Sequence, residues 1–162
     1  MSTGTIYIRK AEPRDYSGVS LLMDELHQMH VEARPDIYRA LETRMEEKEF
    51  TELLETDKRY LYVAESSGTG LILGYGSAQL SVIQDNPLMV DRKMLYIHEL
   101  VVDTKHRGQG TGKQLLEAFI ELGRELQADS LELTVSTFNS DAQAFYEQMG
   151  LVVRSSRMEY TL

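Results

Sequence analysis

The stretch Arg107 to Lys113, R-G-Q-G-T-G-K, constrains this chain more than any other. It falls between the apolar run Met94 to Val102 (M-L-Y-I-H-E-L-V-V), which reads as a buried central strand, and a segment from Gly108 to Gln127. In that segment Leu115, Leu116, Phe119, Ile120 and Leu122 recur at helical spacing. Three glycines at a strand-to-helix junction let a ligand come against the backbone. The first amides of the helix then point at it unpaired, at the end of the helix dipole that favours negative charge. Such a junction binds anions, so a phosphate-bearing cofactor is expected there. Spacing excludes two familiar phosphate loops. Arg107 stands at the first glycine position of G-x-x-x-x-G-K-[ST] and Gln114 at its hydroxyl position, while Lys113 occupies the place of the last glycine in G-x-G-x-x-G.

The remaining pattern alternates strands and helices around this junction. Thr5 to Lys10 reads as a short strand, and Pro13, Arg14 and Asp15 open a helix carrying Val19, Leu22, Leu26 and Met29 at steps of three and four. His27 and His30 fall nearly on one of its faces. Pro35 and Asp36 are expected to start a second helix, with Ile37, Leu41, Met45, Leu53 and Leu54 as its apolar stripe amid the charged run Glu46 to Arg59. From Tyr60 a hairpin turns at S-S-G-T-G, and Gly74 and Gly76 in its second strand mark a bulge or a close backbone approach. After the glycine loop and its helix come a strand Ser130 to Val135, a helix Asp141 to Gln148 and a final strand from Leu151. The fold class is α/β: a mixed sheet flanked by helices, with crossovers in the second half.

A chain of 162 residues with 42% hydrophobic and 27% charged residues fits one globular domain, 1–162. No run approaches the ~18 apolar residues of a membrane span, and the first twelve residues lack the apolar core of a secretory signal, so a cytoplasmic protein without membrane contact is expected. The absence of cysteine excludes disulfides, thiolate metal sites and thiol nucleophiles. Four scattered histidines without H-E-x-x-H point to no metal site. Lys and Arg number 17 against 26 Asp and Glu, for a net charge of -9. Nucleic acid is a poor partner for such a chain. The charge favours a cationic small molecule or a basic peptide, and a homodimer stays open.

The glycine loop resembles the acetyl-CoA loop of the GNAT superfamily of N-acetyltransferases, [QR]-x-x-G-x-[GA], which Arg107, Gly110 and Gly112 satisfy. A second likeness lies in N-S-D-A-Q-A-F-Y-E-Q-M-G-L, Asn139 to Leu151, similar to the family's second CoA segment. The two stand in order, with a helix and a strand between them. The resemblance implies a mostly antiparallel central sheet whose splayed central strands form the slot for acetyl-CoA as cosubstrate. It implies that the main chain of Leu100, Val101 and Val102 meets the pantetheine and that Gly108, Gln109, Gly110, Thr111, Gly112 and Lys113 hold the pyrophosphate beside Arg107. Asn139, Ala142 and Phe145 would flank the pantetheine and adenine end. Lys113 reads equally well as a solvated helix lysine.

Acyl transfer from a thioester to an amine needs a neutral nucleophile and a protonated leaving thiolate. An amine of pKa ~10.4 is only about one part in a thousand neutral near pH 7.4, so the site must take up a proton. The family motif places a tyrosine, here Tyr146, as general acid near the CoA sulfur; beside Phe145 it also suits core packing. The base is His98, Glu99 or ordered water. Side chains alternate along a strand, so His98 and Glu99 reach the same side only if a bulge intervenes. Polyamine acetyltransferases of the superfamily resemble this stretch, with a Glu at the position of His98 and an Asp at that of Glu99. Glu99 is preferred, since a carboxylate can take the proton and steady an incoming ammonium group. The acceptor elements are the first two helices and the hairpin, where Asp24, Glu25, His27, His30 and Tyr38 border the cleft. Without a cysteine, direct transfer to a primary amine is expected, in a small molecule or a peptide.

Overall fold

Five strands in the order β1-β2-β3-β4-β5 form the frame on which everything else is placed. The structure is a computed structural model and describes residues 4–162. The elements are β1 (Ile6–Lys10), α1 (Tyr16–Ala33), α2 (Glu47–Glu55), β2 (Arg59–Ser66), β3 (Ile72–Ile83), β4 (Arg92–Val102), α3 (Thr111–Glu125), β5 (Ser130–Leu133) and α4 (Ser140–Gln148). The first four strands pair antiparallel, and β4 and β5 pair parallel across α3. The expected mixed, mostly antiparallel sheet with flanking helices is what forms.

Each sheet face buries its own core. On one, Val19, Leu22 and Met23 of α1 and Phe50 of α2 pack on Leu61, Val63, Tyr75 and Val101. On the other, Leu116, Phe119 and Leu122 of α3 pack on Ala78, Leu95 and Ile97. Fully burying such side chains contributes about 1.5–3 kcal/mol each. The glycines of β3 set how closely α3 approaches. A Cβ on Gly76 would lie 2.5 Å from the Phe119 ring, and one on Gly74 would lie 2.8 Å from Leu115 Cδ1. The close approach marked by these glycines is therefore real.

Charge ties the first strand to the first helix. Arg9 of β1 donates two hydrogen bonds of 2.8 Å to the carboxylate of buried Asp15 and one of 2.7 Å to Glu65 of β2. Asp15 in turn accepts the Glu12 amide at 2.8 Å, closing the turn that leads into α1.

Three sequence expectations need correction. Pro35 and Asp36 start no helix; α2 begins only at Glu47. Residues 34–46 are instead pinned by α1: Asp24 accepts the Arg44 amide at 2.8 Å, His27 Nε2 lies 2.6 Å from the Arg39 carbonyl, and Tyr38 packs edge-on against His30. These tertiary bonds compete with helix formation and prevail. The helix after the glycine loop starts at Thr111 rather than Gly108, because Gly108 and Gly110 both have φ of 81°, outside helical geometry. No strand forms from Leu151 onward, since a strand needs a partner and this segment has none among the described residues.

Candidate active site

A β-bulge in β4 decides where the two candidate bases point. Opposite β3, Ser77 pairs with Glu99 but Ala78 pairs with Ile97, so His98 is an extra, unpaired residue. The extra residue breaks the alternation. Leu95 and Ile97 face α3, whereas Val101 faces α1 and α2, and the change of face falls at His98 and Glu99. His98 stacks edge-on against Tyr96 at 5.1 Å between ring centres. Glu99 stands with Ser77, whose neighbour on that face is Tyr75. Both candidate bases thus project toward the α1–α2 side.

A polar cluster surrounds them. The Gln79 carbonyl oxygen lies 3.0 Å from His98 Nε2; an amide oxygen only accepts, so Nε2 carries the proton and Nδ1 keeps its lone pair. Arg59 donates to Ser77 Oγ at 2.7 Å. Burial and then the Arg59 charge hold His98 below its usual value, leaving the ring neutral near pH 7. Burial pushes Glu99 above the usual carboxylate range, against the opposing pull of Arg59 and Arg44. Among the described residues the buried Tyr75 hydroxyl has no hydrogen-bond partner. Sequence reading missed Arg59, Tyr75, Ser77 and Gln79. Their only trace was two polar residues, Ser77 and Gln79, interrupting an apolar strand, and only the register across β2, β3 and β4 joins them to the site.

On the other side of β4 the strands part. Pairing between β4 and β5 ends at Ile97 and Leu133, while β4 runs on to Val102. Leu100, Val101 and Val102 therefore keep a β4 edge without a strand partner on the β5 side, facing the slot implied for the pantetheine. The glycine loop closes one end. A Cβ at Gly108 or Gly110 would meet nothing within 4 Å, so both left-handed glycines face open space. The Gln114 amide is the first of α3 to close onto a carbonyl, that of Gly110; the amides of Thr111, Gly112 and Lys113 precede it at the helix start. Thr111 is buried with its hydroxyl unpaired among the described residues. Two open glycines, free helix-start amides and an orphan hydroxyl fit a pyrophosphate. Arg107 and Gln109 are exposed on the loop, and Lys113 Nζ lies 3.9 Å from Glu117 at the surface.

Phe145 meets this loop. A Cβ on Gly112 would lie 3.5 Å from the Phe145 ring and 3.6 Å from Val102, so the three converge. Tyr146 packs beside Phe145 at 5.3 Å, with the core on the α3 side. Burial pushes its phenol up to about 12, so it stays protonated at neutral pH. Asn139 caps α4, its side chain accepting the Ala142 amide at 3.3 Å; this accounts for both residues structurally. Tyr146 and the pair His98–Glu99 lie on opposite faces of the sheet, and the gap between β4 and β5 opens between those faces.

Known proteins share this fold. The chain matches the Acetyltransferase (GNAT) family over residues 23–151. It is 30% identical over 150 residues to an uncharacterised N-acetyltransferase of Archaeoglobus fulgidus, covering 89% of this chain and 91% of that protein. It is 33% identical over 107 residues to N-acetyltransferase 8B of Mus musculus, covering 62% of this chain and 44% of that protein. The chain thus spans less than half the length of this mouse relative. A crystal structure of a mutant of the BH1408 protein from Bacillus halodurans superposes with a TM-score of 0.93 at 34% identity, covering 96% of this chain and 99% of that one. The glucosamine-6-phosphate N-acetyltransferase of Arabidopsis thaliana shares the fold at 23% identity, with a TM-score of 0.70, covering 97% and 98%. The chain belongs to the GNAT acetyltransferase family.

Proposed function

We propose that this chain is an acetyl-CoA-dependent N-acetyltransferase working by direct transfer to a primary amine. The observation that carries the reading is the β4 bulge. It brings Glu99 to the side that His98 already faces, at the level where β4 and β5 part, while the glycine loop and Phe145 gather at the other side of the slot.

Acetyl-CoA supplies the thioester, with Gly108 to Lys113 at its pyrophosphate and the β4 edge from Leu100 to Val102 along its pantetheine. Glu99, or His98 through the free Nδ1 that Gln79 leaves it, removes the proton from the acceptor ammonium. The amine nitrogen then bonds to the acyl carbon, the carbon–sulfur bond breaks, Tyr146 protonates the departing thiolate, and the second proton that the nitrogen sheds as the amide forms restores the phenol. The phenol suits that role because burial keeps it neutral.

The chain's charge of -9 draws in cations, but Arg59 and Arg44 offset it at Glu99. A small acceptor with a single ammonium group therefore fits better than a polyamine. No helix among the described residues is long and apolar enough to cross a membrane. Thiol release from acetyl-CoA, measured with a panel of monoamines, polyamines and peptides, tests the reading. Release that depends on a monoamine is expected. Tight CoA binding without release on any acceptor would make the chain a CoA-binding module, and release on peptides alone would move the acceptor class.

A further inference from the structure

The α1–α2 side of the sheet holds hydrogen-bond donors for which the chain supplies no acceptor. Arg59 of β2 reaches onto β3 and donates through Nη2 to Ser77 Oγ at 2.7 Å. Its Nε is buried without a partner among the described residues, and so is the Tyr75 hydroxyl on the same face. Charge repeats the pattern. Arg9, Arg34, Arg92 and Arg154 each pair with a carboxylate, whereas the half-buried Arg59 and Arg44 enter no ion pair among the described residues. That is unexpected in a chain where 26 acidic residues outnumber 17 basic ones, because a cation drawn out of water is costly unless an anion meets it. The chief charges acting on Glu99 are those of Arg59, Arg44 and, from α2, Glu49. With Glu99 ionised, the two guanidinium groups and the two carboxylates balance. An arriving ammonium group leaves one positive charge in excess. The excess persists once the proton has passed to Glu99, which is then neutral. An acceptor with one negative charge of its own cancels it at every stage.

We propose that Arg59 and Arg44 form an anion subsite for the acceptor, and that the acceptor is an amino acid whose carboxylate lies there while its amine stands at Glu99. Ser77 sets the spacing. Its Oγ accepts from Arg59, and its own proton is free for Glu99, its partner across the ladder. One hydroxyl therefore stands between the guanidinium and the carboxylate of the base, which suits an amine and an anion only a few bonds apart. The guanidinium fork matches a carboxylate in shape, and a single charge in excess matches a carboxylate better than a doubly charged phosphate. This inference rests on the acetyl-transfer reading and names the acceptor class within it.

The test measures thiol release from acetyl-CoA with the common amino acids, each offered as the free acid and as its carboxamide, and with β-alanine against phosphoethanolamine as a pair that differs in the anion. The best free acid is expected to exceed its carboxamide about tenfold or more in kcat/KM, even though the carboxamide gives up its ammonium proton more readily and starts with the advantage. Arg44→Gln removes one guanidinium, and Arg59→Lys keeps the charge but not the fork. Each should narrow that ratio, chiefly through KM. Carboxamides turned over as fast as the free acids overturn the subsite and leave acetyl transfer standing, and so does a ratio unchanged in both folded variants. Phosphoethanolamine turned over faster than β-alanine overturns the carboxylate as the anion. If neither free acids nor carboxamides are acetylated, calorimetry of the same pairs on the CoA-loaded chain decides. Tighter binding of the free acid then supports the subsite and moves the failure to the acetyl-transfer reading, whereas equal or absent binding overturns the subsite. The wild-type measurements are decisive even if a variant fails to fold.

Discussion

Replacing Gly110 by alanine and by glutamate separates the backbone role of the glycine loop from its role toward a phosphate. Gly110 has φ of 81° and a Cβ there meets nothing within 4 Å. Either substitution therefore incurs only the left-handed conformational cost, roughly 1–2 kcal/mol for a residue with a Cβ. Both variants should lose about the same stability in urea titrations. They should differ in binding. A carboxylate held ~5 Å from a pyrophosphate charge repels it by about 3 kcal/mol at an effective dielectric near 20. The loop is exposed, so solvent and salt screen part of that. At ~1.4 kcal/mol per decade, acetyl-CoA should bind the glutamate variant at least tenfold more weakly than the alanine variant by calorimetry. Two folded variants binding within threefold of each other would refute the phosphate role of this loop, and with it the claim that the helix start is the anion site.

Tyr146→Phe should leave acetyl-CoA binding intact and lower kcat about 10²-fold or more; an undiminished kcat where chemistry limits the rate would return the side chain to packing against Phe145. His98→Gln and Glu99→Gln separate the bases through the acid limb of kcat/KM. If His98 accepts the proton, the limb lies below 6.5, where burial and Arg59 hold the imidazole, and vanishes in the His98 variant alone. If Glu99 does, the limb lies above 4.5 and vanishes in the Glu99 variant; a limb kept by both variants assigns the proton to water. Asp15→Asn should cost about 2 kcal/mol in chemical denaturation, less than the ~3–5 for breaking a fully buried pair because Arg9 keeps Glu65 and some solvent contact. Burial raises Asp15, but bonds from Arg9 and the Glu12 amide more than offset it, and Tyr7 and Arg9 lower Glu65. Folded values below 3.8 and 4.5 mean that this stability is present above those values and lost as pH falls through the folded ones. A urea midpoint in the parent that does not fall from pH 5 to pH 3 would contradict this.

What could be read along the chain was whatever a local pattern dictates. The glycine loop was legible because left-handed backbone at Gly108 and Gly110 requires glycine, and α3 because its apolar face repeats at helical spacing. The break at residues 34–46 was not. Ile37, Leu41 and Met45 suit a helical stripe, yet of these only Met45 is buried, because Asp24 and His27 hold the segment as a loop through bonds to its main chain. The segment after Gly150 reads as a strand by its β-branched and aromatic residues, yet among the described residues none pairs with it, and side-chain preference alone does not make a strand. Asn139 lies between these cases: the N-cap chemistry of Asn before a helix explains it fully, so its presence in a CoA-like motif adds no separate support for cofactor contact.

The bulge at His98 is the least legible feature and the one on which the site depends. Nothing in M-L-Y-I-H-E-L-V-V marks an extra residue; a regular strand would send Glu99 to the α3 side with Ile97 and bury an unpaired carboxylate against Leu116 and Phe119. The neighbouring strand supplies the physical reason for the bulge. Ser77 opposite Glu99, joined to Arg59, offers polar company on the α1–α2 side, and Gln79 does the same for His98. Shifting the register by one residue brings Glu99 out of hydrocarbon and onto the face that His98 shares with Tyr96 and Gln79, at the loss of one rung of the ladder. The rung lies at the level where β4 and β5 part company, beyond Ile97 and Leu133. One irregularity thus takes Glu99 out of the α3 core and sets it beside His98 at the mouth of the slot. A substitution that straightens β4 would have to disturb both together.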